Sequence, residues 1–298
     1  MQINTEFEYY SNLLMYGVIT SYVISLLLFA VAFGRTRERE VSASSQRLAN
    51  VGFTVAGLGT LLLGAAVLFR SLSVARVPWG NMYEFTLSAS FGVMAVLLFV
   101  SWKRNANWLL LFVIVPVLLA LMVAEVVFYT DASPLIPALR SYWLVIHVSA
   151  AVISAGAFMV SAVFSGLQLL AERAERRSLE GGEADRRDIW AGRLPSSKWF
   201  DEAAYRIIAF TFPLWTFTIV AGAIWARAAW SRFWGWDPKE TWAFITWVGY
   251  AAYLHARVTI GWKGRRSAVL SLIAFGTMVF NFTIVNLFFT GLHTYSGK

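Results

Sequence analysis

Three histidines and a cluster of tryptophans carry the chemistry available to this chain. His147, His255 and His293 are the only imidazoles in 298 residues, and the sequence contains no cysteine. A neutral imidazole can ligate a metal or carry a proton near neutral pH, so these three side chains are the candidate ligands. Six of the 14 tryptophans, Trp225, Trp230, Trp234, Trp236, Trp242 and Trp247, fall within residues 225–247 (WARAAWSRFWGWDPKETWAFITW). Indoles favour the membrane interface, being mostly apolar with one N–H that needs a partner. An ordinary aromatic belt spreads such rings over many helix ends, whereas this segment concentrates them. A flat aromatic floor suits a large planar ligand, and beside imidazoles the ligand that fits is haem.

The depths of the histidines sharpen that reading. His147 lies near the outer end of one apolar run and His293 just beyond the outer end of another, both level with the tryptophan segment. Two opposed imidazoles make a six-coordinate haem site. His255 lies near the far end of its run, roughly 20 Å away at the helical rise per residue, and needs a second ligand from outside the chain. Taken singly, each histidine has a plainer competing role as a helix–helix hydrogen-bonding group.

The elements that must position these residues are membrane helices. The chain is 58% hydrophobic and 14% charged, with a mean hydropathy of +0.60, too apolar for a soluble domain. Apolar runs of spanning length cover residues 14–33, 51–69, 85–102, 108–128, 142–170, 204–224, 241–258 and 268–289. The predicted fold is therefore all-α: a single polytopic membrane domain over residues 1–298, with about eight transmembrane helices and both termini outside. Seventeen of the 25 Lys and Arg residues follow helices 1, 3, 5 and 7, which makes those loops cytoplasmic. Residues 171–203 form the longest cytoplasmic loop, with Gly181-Gly182 in its middle, and residues 225–247 form an external loop. The net charge of +8 is thereby explained by topology, and no nucleic-acid partner is needed. The acidic N-terminus has no basic n-region, so no cleavable signal peptide is expected.

Within the tryptophan segment, Asp237-Pro238-Lys239-Glu240 reads as a helix start: an N-cap, a proline at the first helical position and a capping-box glutamate. For Asp237, capping is the plainer role. Trp234 and Trp236 are two apart, so in extended chain both rings face the same way, and Trp242 follows one turn into the helix. Glu84, after Asn81, caps the third helix or lines the outer pocket. Arg76, Arg140 and Arg232 are outward cations suited to haem propionates, although exposed arginines are commonly just solvated. Glu125 is placed near water, with no special role.

These residues carry a family resemblance. The run Phe233-Trp234-Gly235-Trp236-Asp237-Pro238-Lys239-Glu240-Thr241-Trp242 resembles the tryptophan-rich "WWD" signature of haem-handling membrane proteins. Together with Pro78–Glu84 (PWGNMYE), Tyr253-Leu254-His255-Ala256-Arg257 and Gly291-Leu292-His293-Thr294-Tyr295, it is similar to the CcsA/ResC type (CcsB in some bacteria), the membrane subunit of System II cytochrome c synthetases. The resemblance implies haem b, held outside by His147 and His293 beside Trp225, Trp230, Trp234, Trp236, Asp237 and Trp242. It implies an inner haem site at His255 completed by a CcsB/ResB-type partner. It also implies presentation of haem to apocytochrome c, whose Cys-x-x-Cys-His thiols react, as part of a holocytochrome c synthase (haem lyase) in a bacterial cytoplasmic or thylakoid membrane. Ser231 and Phe233 depart from the glycine and tyrosine common in the family. Two other classes compete: a b-type haem electron carrier, which usually needs more paired histidines, and a transporter of another amphipathic substrate, which would need mid-bilayer carboxylates or broken helices.

Overall fold

Peptide groups in hydrocarbon have no water to bond, so apolar runs of this length satisfy themselves as helices. The computed structural model describes residues 3–35, 42–134, 140–180 and 194–293. Among these the elements are α1 (Thr5–Arg35), α2 (Ala43–Val74), α3 (Met82–Arg104), α4 (Trp108–Val123), α5 (Tyr142–Glu180), α6 (Ser197–Trp230), α7 (Pro238–Val258), α8 (Arg265–Phe282) and α9 (Ile284–Phe288), with no strand. Helix α4 runs on into a π-helical turn, Ala124–Phe128.

Among the described residues, seven helical stretches are long and apolar enough to cross a membrane: those of α1 to α6 and Arg265–Phe288. The chain is thus a polytopic all-helical membrane protein. The eighth predicted span, α7, has the length but not the apolarity, because Trp242, Trp247, Tyr250, Tyr253 and His255 dilute its aliphatic residues. The last run is broken as well: α8 ends at Phe282, and α9 restarts after Thr283. Of the predicted 171–203 loop, residues 171–180 continue α5 and Ser197 onward belongs to α6, while 181–193, with Gly181 and Gly182, lie outside the described residues. Likewise the 225–247 segment is a loop only between Trp230 and Pro238, its two flanks being helical.

Large apolar side chains face outward, among them Leu61, Leu119, Phe210 and Ile273, while hydroxyls turn inward. Ser11 donates to the Ala66 carbonyl, Ser25 to that of Gly52, and Ser165 to Ser271. This inverted polarity is what a lipid solvent selects, because apolar contact alone gives helices no reason to associate. Helix α1 packs along α2, α5 along α6 and α7 along α8, with α3 and α4 joining the groups. Phe158 of α5 stacks on Tyr250 of α7 at 3.7 Å in the centre of the second group.

Two buried carboxylates clamp opposite ends of the bundle. Asp201 of α6 accepts from Arg257 at 2.7 Å, Ser267 at 2.8 Å, Gly264 N and Gln168, tying α5, α6, α7 and the start of α8 together. Glu84 of α3 accepts from Arg70 Nε at 3.3 Å, from both Arg76 nitrogens at 2.7 and 3.1 Å, and from Gly80 N at 2.8 Å. Arg70, wholly buried, also reaches Glu8 and the Thr130 carbonyl. Glu125 is not simply solvated, since Tyr83 donates to it at 2.9 Å. Removing one member of a buried ion network strands the others at a cost of about 3–5 kcal/mol, whereas exposed pairs contribute little. Glu84→Gln should therefore lower the thermal midpoint in detergent markedly. Glu202→Gln, which breaks the exposed Arg206–Glu202 pair at 4.0 Å, should leave it unchanged.

Candidate functional site

The start of α7 is built by its capping residues. Asp237 Oδ1 accepts from Lys239 N at 3.0 Å, and Glu240 Oε2 accepts from Asp237 N at 3.1 Å and Gly235 N at 2.8 Å, a complete capping box with Pro238 at the first position. The same Asp237 carboxylate holds the C-terminal turn. Its Oδ2 accepts from Leu292 N at 2.7 Å, and its Oδ1 from His293 Nδ1 at 3.0 Å. A Cβ on Gly291 would collide with this carboxylate, so the turn closes only over glycine. Burial pushes the Asp237 carboxyl up, but the bonds from His293, Leu292 N and Lys239 N outweigh it and hold the group below its ordinary value.

His147, on the second turn of α5, contacts the Thr218 carbonyl of α6 through Nδ1 at 2.9 Å. A carbonyl only accepts, so Nδ1 carries the proton and Nε2 keeps its lone pair. An ionised carboxylate imposes the same tautomer on the neutral ring of His293. Helix α6 makes room for His147 with Gly222, where a Cβ would lie 2.7 Å from Cε1 of the ring. Both histidines line one cavity of about 210 Å³. Trp225, 1% exposed, touches both: His147 is stacked on it at 6.0 Å with planes 12° apart, and His293 meets it edge-on at 5.6 Å.

The remaining sequence-predicted residues divide. Trp234 and Asn81 line the cavity, and Asn81 also caps α3 by accepting from Glu84 N at 2.9 Å. Trp230 meets His293 edge-on at 4.7 Å without forming the wall. Trp236 does not share a face with Trp234: its φ of 56° interrupts the extended alternation, the rings are perpendicular, and its indole is 67% exposed. Trp242 packs against Phe280 at 4.1 Å, away from the cavity. Asp237 stands behind His293, outside the cavity wall. Arg76 and Glu84 are bonded to each other and set the 78–81 turn, whose Trp79, Gly80 and Asn81 form wall. Arg232 approaches Glu240 at 3.8 Å, and Arg140 is exposed before α5. His255 is exposed at the far end of α7, about 25 Å from Pro238 along the helix, with Thr259 Oγ1 3.4 Å from its Nδ1.

The sequence reading missed Met82, Trp215, Lys239 and Asn281, all on the cavity wall. Lys239 had a signal: a cation in the first turn of a helix sits at the unfavourable, positive end of its dipole. Among the described residues no cluster of three His, Cys, Asp or Glu side chains could hold a bare metal ion. A metal already held in a planar macrocycle asks less of the protein: two imidazoles and an aromatic wall, and His147, His293, Trp225 and Trp234 line this cavity together. The residues present thus fit haem.

Fold and site define a polytopic helical membrane protein with a two-histidine, tryptophan-walled cavity toward one end of its bundle. The chain belongs to the family described as Cytochrome C assembly protein, whose profile matches residues 79–293, and its role lies in cytochrome c biogenesis. It is 33% identical to the cytochrome c biogenesis protein CcsA of Synechococcus elongatus over an alignment of 285 residues that covers 82% of this chain and 87% of that one. CcsA of Porphyra purpurea is 34% identical over an alignment of 277 residues (81% of this chain and 86% of that one). Among solved structures, the cytochrome c haem lyase CcmF shares the fold with a TM-score of 0.63 at 17% identity. The match covers 95% of this chain and 47% of CcmF, so the chain spans about half the length of that protein.

Asp237→Ala removes an N-cap, worth about 0.5–2 kcal/mol, together with the anchor of the terminal turn. Hydrogen exchange should accelerate both at the first turn of α7 and over residues 286–293, while α1 and α2 stay unchanged. Because the folded pKa of Asp237 is depressed, its contribution is present above the ordinary carboxylate value near 4 and is lost as pH falls through the lower folded value. The same acceleration should appear in the wild type only in strong acid.

Proposed function

We propose that this chain is a CcsA/ResC-type membrane subunit of a System II cytochrome c synthetase that binds haem b and presents it for covalent attachment to apocytochrome c. The observation that carries this reading is that His147 and His293, 146 residues apart, line one tryptophan-walled cavity with Nδ1 of each held by an acceptor behind the ring. In this reading the cavity lies on the extracytoplasmic face of a bacterial cytoplasmic or thylakoid membrane, both termini are outside, and α7 is the eighth span. The positive-inside pattern of the loops supports that orientation.

The residues act by position more than by acid–base chemistry. The Thr218 carbonyl and the Asp237 carboxylate aim the two imidazoles, and Trp225 and Trp234 exclude water from the ligand's faces. A haem held so presents its vinyl groups to the Cys-x-x-Cys-His segment of apocytochrome c. There each thiol S–H adds across a vinyl C=C, with no leaving group. The chain's lack of cysteine fits, since the reacting thiols belong to the substrate. Effective concentration and alignment are the contributions such a site can make. His255, exposed at the opposite end of α7, serves an inner haem site whose second histidine comes from a CcsB/ResB-type partner.

Purified with co-expressed partner, the wild type should show a reduced low-spin haem spectrum. His147→Ala and His293→Ala should abolish it or turn it high-spin, and Asp237→Asn should weaken haem binding about 10- to 100-fold by releasing the His293 ring. A haem-free wild type, or a spectrum indifferent to both histidines, would sink the outer site and favour a transporter.

Gly222→Ala provides an independent check, since its methyl group must displace the His147 ring from Thr218. The haem-binding defect of that variant should match that of His147→Ala, with α6 otherwise intact by circular dichroism.

A further inference from the structure

The cavity that holds the two histidines also contains an unneutralised cation. Lys239, at the second position of α7, lines the cavity beside Met82, Phe85, Met278 and Phe282. Its ammonium has Met82 Sδ at 4.0 Å and the Phe282 ring at 5.9 Å as company. Among the described residues no carboxylate lies within ion-pair distance of it.

Neither nearby carboxylate forms an ion pair with it. Asp237 attracts the ammonium through space but holds the amides of Lys239 and Leu292 and the His293 ring. Glu240, also on the cavity wall, takes the amides of Gly235 and Asp237 through Oε2, with Arg232 at 3.8 Å, and its buried Oε1 has no hydrogen-bond partner.

A partly desolvated ammonium without a counter-ion is unfavourable, and the first turn of a helix makes it more so, because the dipole there is already positive. Both positive sources converge on one place in a mostly apolar wall. Next to it, Asn281 donates to the Lys239 carbonyl at 3.3 Å, so its amide N–H group is engaged and the ammonium is the donor left at this spot. The missing complement of the ammonium is an anion.

We propose that Lys239 is the counter-cation for a carboxylate of the cavity's ligand, and that it selects and orients a carboxylate-bearing tetrapyrrole. This rests on the haem reading above. In iron protoporphyrin IX the two propionates lie on one edge and the vinyl groups away from it. A propionate at Lys239 therefore sets the in-plane rotation of the macrocycle and turns its reactive vinyl groups away from the start of α7. The histidines choose the metal and the lysine chooses the edge.

The test titrates the purified full-length protein in detergent with iron protoporphyrin IX and with its neutral dimethyl ester. The wild type should bind the diacid about ten- to a hundred-fold more tightly, as a charge-assisted bond lost on esterification implies. Lys239→Met should abolish that preference by weakening the diacid alone, with the low-spin spectrum retained for both porphyrins. Lys239→Arg should keep the preference.

Without porphyrin, Lys239→Met should melt at the same temperature or higher, since it removes an uncompensated charge of similar volume. A preference unchanged in Lys239→Met, no preference in the wild type, or a lower melting temperature for ligand-free Lys239→Met would each overturn the role of Lys239 and leave the histidine site standing. Binding of neither porphyrin to the wild type would overturn the haem reading and this inference together.

Discussion

One carboxylate, that of Asp237, joins the parts of the site that are farthest apart in the chain. It caps α7, receives the amide of Leu292 and holds the ring of His293, so a helix start and a C-terminal turn close on the same two oxygens. The cap explains why the loop after α6 ends where it does, and the histidine bond explains why a residue beyond the last helix belongs to the site at all. Glycine at 291 is the steric condition for both. An aspartate that reads from sequence as an ordinary cap is the hinge pin of the histidine pair.

The bundle around this latch resists shear because its interior is pinned by charge at both ends. Glu84 gathers Arg70, Arg76 and the 78–81 turn, and that turn supplies Trp79 and Asn81 to the cavity wall. Asp201 gathers α5, α6, α7 and the start of α8 at the other end, near the exposed His255. Lipid offers no hydrophobic driving force between helices, so these networks and the inward hydroxyls set the helix register. A register slip of one residue in α6 would carry Gly222 and the Thr218 carbonyl away from His147. Site geometry and polar clamps are thus one system.

Several features are legible in the chain alone. The helical class, the start of α7 at Pro238 with its aspartate cap, and the presence of His147 and His293 at one level of the bundle all follow from hydropathy, capping chemistry and histidine depth. Other features are not. The in-register reading of Trp234 and Trp236 fails because Trp236 adopts a left-handed backbone, which no side-chain period reveals. Arg76 and Glu84, read as pocket residues, bind each other, since sequence shows charges but not which ones meet. Lys239 is hidden inside a motif that reads as a cap, and only the packing of α7 against its neighbours puts its side chain on the cavity wall.

By itself the sequence determined the class and the inventory. A run of apolar residues long enough to span a bilayer must be helical, and three histidines with no cysteine limit the chemistry to imidazole ligation or proton transfer. The tertiary structure decided which nitrogen of each histidine is engaged, because a tautomer is set by the acceptor behind the ring: Thr218 lies 71 residues from its histidine and Asp237 lies 56. It also decided which aromatic rings form wall and which face away, and where a cation is left without a counter-ion. Those are properties of helices brought side by side, and local periodicity carries no record of what lies across the interface.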